Sequence, residues 1–364
     1  MKIKSFKAKN FRNIEECNIE FSDGVNLLYG KNAEGKTNIL EGIYVFSRGK
    51  SFRAKEDSDM IRFATEGFNL SLKYESLIGE ESLEYSVFGK ERLRKKNGYR
   101  INKITDFVGS IKAVLFYPDN MNLVKGSPEE RRSFLNIAIS QYNPVYLRYY
   151  QNYKKTLENR NHDLRLLQKG FPVDREELLA WSRTLSEYAA LIYLVREEYI
   201  EKLKYYSKIF SLDISGGKEK ISIFYECDIE NGLRDIELIK ERFEKVFTQE
   251  LDREISAGTT LFGPHRDDLR ININDRDSRL FASQGQQRSI VLSLKLSEGE
   301  IIKEVFGEYP VFLLDDVLSE LDEERRKYLL DKKGEKQIII TSCQSEELKA
   351  IADKTIEVSE GRYF

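Results

Sequence analysis

Apolar and polar positions alternate from Lys2 to about Lys9 and again near Cys17 to Phe21, then give way to an apolar run from Val25 to Tyr29. Alternation of this kind predicts strands with one covered face, and the run predicts a more deeply buried strand. An apolar helix reaching about Ser47 follows, then the polar turn Gly49-Lys50-Ser51-Phe52-Arg53 and alternating strands at Asn69 to Tyr74 and Ser82 to Phe88. The next stretch, Gly89 to Arg100, reads as the turn region of a hairpin, with Asn97-Gly98 supplying the positive φ angles of a tight turn. A strand from Ala113 to Tyr117 ends at Pro118-Asp119.

Beyond Asp119 the pattern changes to long amphipathic helices rich in Tyr, Leu, Glu, Lys and Arg. The first begins at Ser127-Pro128-Glu129-Glu130, where the spacing of Ser127 and Glu130 is that of a capping box and Pro128 takes the first helical position. Two longer helices, about Pro144 to Gln168 and Arg175 to Phe210, are broken by Gly170-Phe171-Pro172. No heptad pattern is sustained, which predicts a compact helical insert and not a long coiled coil. A strand, Ile221 to Glu226, and a helix, about Leu233 to Leu251, close it. Strand-like character then returns at Ile255 to Leu261, followed by the polar turn Gly263-Pro264-His265-Arg266-Asp267-Asp268, a strand at Leu269 to Ile273, and a helical run from Ser289 to Val305. The run Val311 to Leu314 predicts a central strand, and another strand covers Gln337 to Ile340. The expected architecture is therefore α/β, in two domains: a discontinuous one at 1–117 and 255–364, and an inserted, mainly helical one at 118–254.

Composition changes this picture little. The chain of 364 residues is 40% hydrophobic, long enough for two cores. Its 59 basic and 61 acidic residues nearly cancel, so any nucleic-acid binding has to use local patches. Cys17, Cys227 and Cys343 are far apart and not at metal-ligand spacing, which fits reduced thiols. The start Met1-Lys2-Ile3-Lys4-Ser5 leads straight into strand-like alternation, and the apolar run Tyr188 to Val195 is too short to span a bilayer; both point to a soluble, cytoplasmic protein.

Chemistry is concentrated in three places. Gly30-Lys31-Asn32-Ala33-Glu34-Gly35-Lys36-Thr37 fits G-x-x-x-x-G-K-[ST] between a strand and a helix. The glycines let backbone N–H groups wrap a phosphate, Lys36 reaches the β- and γ-phosphates of ATP, and the Thr37 hydroxyl ligates Mg²⁺. The apolar strand Val311 to Leu314 ends in Asp315-Asp316. Asp315 is placed to hold Mg²⁺, and Asp316 to orient the attacking water. Ser319-Glu320-Leu321-Asp322 follows with capping-box spacing. Upstream, Ser283-Gln284-Gly285-Gln286-Gln287-Arg288 opens a helix. It is either a capping box or, by its position before the Asp-Asp strand, a signature turn.

With these motifs in order, the chain resembles the SMC-like branch of the ABC ATPases and, within it, the RecF family of bacterial DNA replication and repair proteins. Lys9-Asn10-Phe11-Arg12-Asn13, Gly49 to Arg53, Val124-Lys125-Gly126-Ser127-Pro128-Glu129-Glu130-Arg131-Arg132 and Gly263 to Asp268 look like segments of that family at the expected places, so the resemblance is end to end. It implies an SMC head-like P-loop ATPase fold and an ATP-dependent homodimer. Each nucleotide would be sandwiched between Lys36 and Thr37 of one subunit and Ser283, Gly285 and Gln286 of the other, with Asn38 and Arg12 in the nucleotide-binding set. It also implies binding of double-stranded and gapped DNA, cooperation with RecR and RecO, and help in loading RecA.

Several residues keep two readings. Arg53 matches an arginine that in SMC-type heads couples DNA to ATP hydrolysis, or it offsets the dipole at a helix C-terminus. The basic residues of the hairpin region, among them Arg94, Lys95 and Lys96, are a solvated edge or a phosphate-backbone contact. His265 is a structural polar residue or a nucleotide sensor. The chain departs from the general ABC pattern at Asp316, where Glu is usual, at Thr341-Ser342 in place of a switch histidine, and near Asp119, the substitute for the Q-loop glutamine. These departures imply slow hydrolysis that acts as a timer. An ABC transporter subunit is the alternative, disfavoured by the size of the insert; a nuclease is disfavoured by the lack of further carboxylates or histidines at metal spacing.

Overall fold

The computed structural model describes residues 1–330, 335–343, 346–359 and 361–364. They form two compact units: one of residues 1–121, 209–219 and 284–364, and one of residues 122–208 and 220–283.

The first unit holds two six-stranded sheets. One is antiparallel, in the order β2-β1-β4-β5-β6-β7, from β1 (Lys2–Phe11), β2 (Ile14–Glu20), β4 (Gly67–Ser76), β5 (Gly79–Phe88), β6 (Glu91–Lys96) and β7 (Tyr99–Arg100). Its covered face follows the alternation: Phe68, Leu70, Leu72 and Tyr74 of β4 are buried opposite Leu83, Tyr85 and Val87 of β5. In β1 both Ile3 and Phe6 are buried, which a regular strand forbids because successive side chains point to opposite faces; a register shift between Ile3 and Ser5 resolves it. The stretch Gly89 to Arg100 is not simply a turn. It contains β6, paired with β5 on one side and β7 on the other; Gly89-Lys90 turns the chain from β5 into β6, and Asn97 and Gly98, at φ 52° and 82°, turn it into β7. The polar residues there disguise a strand because both faces of β6 stay partly open.

The second sheet runs β15-β14-β3-β13-β12-β8 and is parallel except for β15, from β3 (Val25–Tyr29), β8 (Ala113–Phe116), β12 (Val311–Asp315), β13 (Ile338–Ser342), β14 (Lys354–Ser359) and β15 (Arg362–Tyr363). Every residue of β8, β12 and β13 is buried. The helix Lys36–Arg48 explains one covered face: its Ile39, Leu40, Ile43 and Phe46 share a core with Phe6 and Leu70 of the first sheet and with Leu313 and Ile339 of the second. The helix Gln284–Phe306 packs against β8. Among the described residues no helix is long and apolar enough to cross a membrane.

The second unit is mainly helical, with Pro128–Tyr142, Pro144–Gln168, most of Arg175–Ile214, Ile236–Gln249 and Leu251–Ala257, plus a three-stranded sheet β11-β10-β9. Here β9 is Ile221–Glu226, β10 is Asp268–Ile273 and β11 is Arg276–Asp277. Two expectations are corrected. Residues 255–261 are not a strand: the helix Leu251–Ala257 covers their first half because Glu254 is fully buried and paired to Arg160 at 2.6 Å. The chain does not return to the first unit at 255 but at Gln284, since β10 pairs along its whole length with β9 and ties the intervening segment to the helices. Capping also differs. Ser127 makes no side-chain cap, and at the later box it is Asp322 that accepts from the Arg325 N–H at 2.9 Å while Ser319 donates back to the Asp316 carbonyl.

Candidate nucleotide site and its surroundings

Parallel pairing sets the site. Ser342 lies opposite Tyr29, Thr341 opposite Asp315, and Phe116 opposite Leu314, so the C-terminal ends of β3, β13, β12 and β8 share one edge of the sheet. Open parallel sheets bind ligands at that edge. The phosphate loop leaves β3 there. Gly30, at φ +155°, passes so close to β14 that a Cβ would sit 2.1 Å from the Val358 carbonyl oxygen, which only glycine permits. The loop then enters the helix at Lys36, and a helix N-terminus, with its backbone N–H groups, favours anions.

Lys36 folds back into the loop, its Nζ donating to the carbonyls of Gly30 and Lys31, both at 2.7 Å. The Thr37 hydroxyl donates to Asp315 Oδ1 at 2.7 Å, and the Thr341 hydroxyl donates to the same oxygen at 2.8 Å. Sequence positions far apart thus meet around one buried carboxylate. Asp316 turns away from the strand at φ +54°, with its N–H on the Thr341 hydroxyl at 3.0 Å. Burial, and then the neighbouring Asp315 charge, push the Asp316 carboxyl up from its ordinary range, partly opposed by Lys36 and the Cys343 backbone N–H. That is the direction a general base needs.

Cys343 is a residue that sequence reasoning passed over. Its thiol lies 2.6 Å from Asn32 Oδ1 and 3.4 Å from Lys36 Nζ, directly after the Thr341-Ser342 pair that replaces a switch histidine. Glu41 is another. It is wholly buried on the phosphate-loop helix and takes a forked pair from Arg12, at 3.0 and 2.6 Å, together with Arg53 and the Ser51 hydroxyl. Burial works to raise its carboxyl, but Arg12, Arg53 and Ser51 together hold it below the usual range. The available signal was one acidic residue amid Ile39-Leu40 and Ile43, where an apolar helix has no reason to carry a charge.

Arg12 also donates to the Asp59 carbonyl at 2.6 Å, so the structure gives it a bracing contact with Glu41. Arg53 reaches back to Asn38 and Glu41 in the first half of the helix and not to its C-terminal end, which removes the dipole reading. Asn38 in turn holds Asn13 at 2.5 Å. Asp119 is exposed on a short turn, Pro118–Met121, after β8. Ser283 is exposed just ahead of the helix that begins at Gln284, with Gly285 and Gln286 in its first turn. In the hairpin, Lys95 pairs with Glu84 at 3.1 Å and Lys96 with Glu81 at 2.7 Å, while Arg94 lies 4.9 Å over the Tyr85 ring.

His265 belongs to the second unit. Its Nδ1 lies 2.7 Å from the Tyr153 hydroxyl and its Nε2 3.1 Å from the Thr260 carbonyl. A carbonyl can only accept, so Nε2 carries the proton and Nδ1 accepts from Tyr153. Burial lowers its pKa to about 4. The ring is a neutral structural bridge. Around it the two family-like stretches meet: Arg131 forks onto Asp268 at 2.7 and 2.8 Å, Arg132 caps the Asp267 carbonyl at 2.9 Å, and the buried Arg196 binds Asp267 at 2.6 Å.

The family model described as the RecF/RecN/SMC N terminal domain matches residues 2–362. The DNA replication and repair protein RecF of Clostridioides difficile (strain 630) is 41% identical over 364 residues, covering 98% of this chain and 96% of that protein. The RecF of Bacillus cereus (strain G9842) is 38% identical, with 99% and 98% covered. Among solved structures, the recombination mediator protein RecF-ATP in the RecFOR pathway superposes with a TM-score of 0.93 at 36% identity, covering 100% of this chain and 97% of that one. The Smc head domain of Pyrococcus furiosus, solved with the C-terminal domain of ScpA, superposes with a TM-score of 0.54 at 18% identity over 100% of this chain and 95% of that one, a likeness of fold. With a nucleotide-loop ATPase fold, an inserted helical unit and relatives matched from end to end, the chain belongs to the RecF family of SMC-like ABC ATPases.

Proposed function

We propose that this chain is an ATP-dependent DNA-binding protein of recombinational repair. Its ATP-driven homodimer would clamp gapped or duplex DNA and, with RecR and RecO, promote RecA loading, with slow, DNA-stimulated hydrolysis as the release step. The observation that carries the reading is the 2.7 Å approach of Thr37 Oγ1 to Asp315 Oδ1 beside Lys36, because it gathers a phosphate clamp and two oxygen ligands of the kind Mg²⁺ prefers. Thr37 and Asp315 would hold Mg²⁺. ATP bound there supplies an electrophilic γ-phosphorus, and Lys36 would exchange its two loop carbonyls for phosphate oxygens. Asp316 would take the proton of the attacking water, and its short side chain favours a low rate. Ser283, Gly285 and Gln286 would act across the dimer on the partner's nucleotide.

The test is the mass in solution of the protein alone, with ATP, and with ATP plus duplex DNA. ATP should convert monomer to dimer and DNA should strengthen the conversion; an unchanged mass overturns the clamp. Lys36→Ala and Asp315→Ala should each abolish hydrolysis, and parent turnover in either would remove the site.

A further inference from the structure

The basic residues named from sequence as DNA contacts divide into two groups. Lys95 and Lys96 spend their charge on Glu84 and Glu81, and Lys95 stands directly across the strand pair from Glu84. Arg94 does not. Its guanidinium is held over the Tyr85 ring and its Nε is buried with no hydrogen-bond partner. It lines a surface cavity of about 520 Å³ within the first unit, together with Arg92 of the same strand and Lys50 and Lys55 from elsewhere in the chain, and with Glu56 and Asp57 as the acidic members. Arg92 is paired to Asp57, which leaves Lys50, Lys55 and Arg94 facing Glu56 alone. Lys50 and Lys55 are exposed, and neither has an ion-pair partner among the described residues. Lys50 could serve only to offset the helix end at Gly49. Lys55 and Arg94 belong to no such helix end, so that explanation does not cover the cluster.

We propose that this cavity, lined by Lys50, Lys55 and Arg94 beside the Arg53 segment, is a phosphate-binding site that takes a backbone phosphate of duplex DNA, and that Lys95 and Lys96 are not part of it. The inference rests on the proposed DNA binding and places it on the molecule. A planar guanidinium fixed against an aromatic ring is pre-oriented for a phosphate oxygen pair, whereas the lysines add charge without fixed geometry. The charged side chains at its mouth suit a phosphodiester and not a buried base. The site joins the Gly49–Asp57 segment to β6, two stretches the sequence keeps well apart.

Binding of a fluorescently labelled duplex at several salt concentrations, with ATP present, tests it. Lys50→Ala/Lys55→Ala should weaken binding by about tenfold at low salt and flatten the plot of log affinity against log salt by roughly one to two phosphate contacts' worth. Arg94→Ala should act in the same direction, and Lys95→Ala/Lys96→Ala should stay within about twofold of the parent. ATP affinity should be unchanged in all three. Parent-like DNA binding by the Lys50/Lys55 variant, equal losses in the Lys95/Lys96 variant, or a loss of ATP affinity in place of DNA affinity would each overturn the assignment. If the parent chain binds no duplex at all, the proposed function itself fails, an outcome separate from these.

Discussion

At the residue scale, the site is built from side chains whose neighbours decide their chemistry. Asp316 occupies a left-handed backbone conformation that asparagine tolerates, so Asp316→Asn removes a charge without adding strain. Hydrolysis should fall by about two orders of magnitude or more, as loss of a general base does, while the ATP-bound dimer persists. Turnover at the parent rate in a single-turnover assay would exclude the role. Glu41 shows the complementary case of one buried carboxylate bracing two guanidinium groups beside the phosphate loop. Nothing in its own codon neighbourhood announces a partner, because Arg12 and Arg53 reach it only through the folded chain.

At the element scale, the second unit's polar core carries a pH dependence. His265 is neutral in the fold with its pKa lowered to about 4 by burial, against 6.5 when free. Below pH 6.5 the unfolded chain therefore binds more protons than the folded one. Stability from this group is complete above that value and is lost as pH falls towards 4, at about 1.4 kcal/mol per pH unit. Asp228 and Asp267, whose carboxyls are raised chiefly by burial, oppose this at the acid end. The informative quantity is thus the difference between the parent and His265→Asn, followed in denaturant by Trp181, the sole tryptophan, which lies in the second unit. The parent should lose stability relative to the variant between pH 6.5 and 4; parallel curves would show that His265 takes up its proton in the fold at the same pH as in the unfolded chain. The same core explains why residues 255–261 form no strand: a buried Arg160–Glu254 pair and a turn outrank a short apolar run that pairs with no strand among the described residues.

At the scale of the whole molecule, the proposed function depends on a second copy. Ser283 stands exposed before the helix Gln284–Phe306, so Ser283→Arg should leave ATP binding by the monomer nearly intact yet block the ATP-driven dimer. Sedimentation with and without ATP decides it, and a dimer in the variant would sink the sandwich arrangement. The α/β class, the strand and helix that flank Gly30–Thr37 and the buried strand that ends at Asp315 were legible in the sequence, because each is a local pattern enforced by backbone sterics or by the period of a strand or helix. What the sequence could not show is which distant residues meet. Parallel register brings Thr37, Thr341 and Asp315 to one oxygen, Glu41 joins Arg12 to Arg53, and the β9–β10 pairing moves the domain boundary to Gln284. Whether a lysine or arginine is spent on a carboxylate or left to solvent is likewise settled by which side chains the fold brings beside it, as Lys95 and Lys50 illustrate. Local propensity is written along the chain, but pairing energy depends on distances that only the tertiary structure sets.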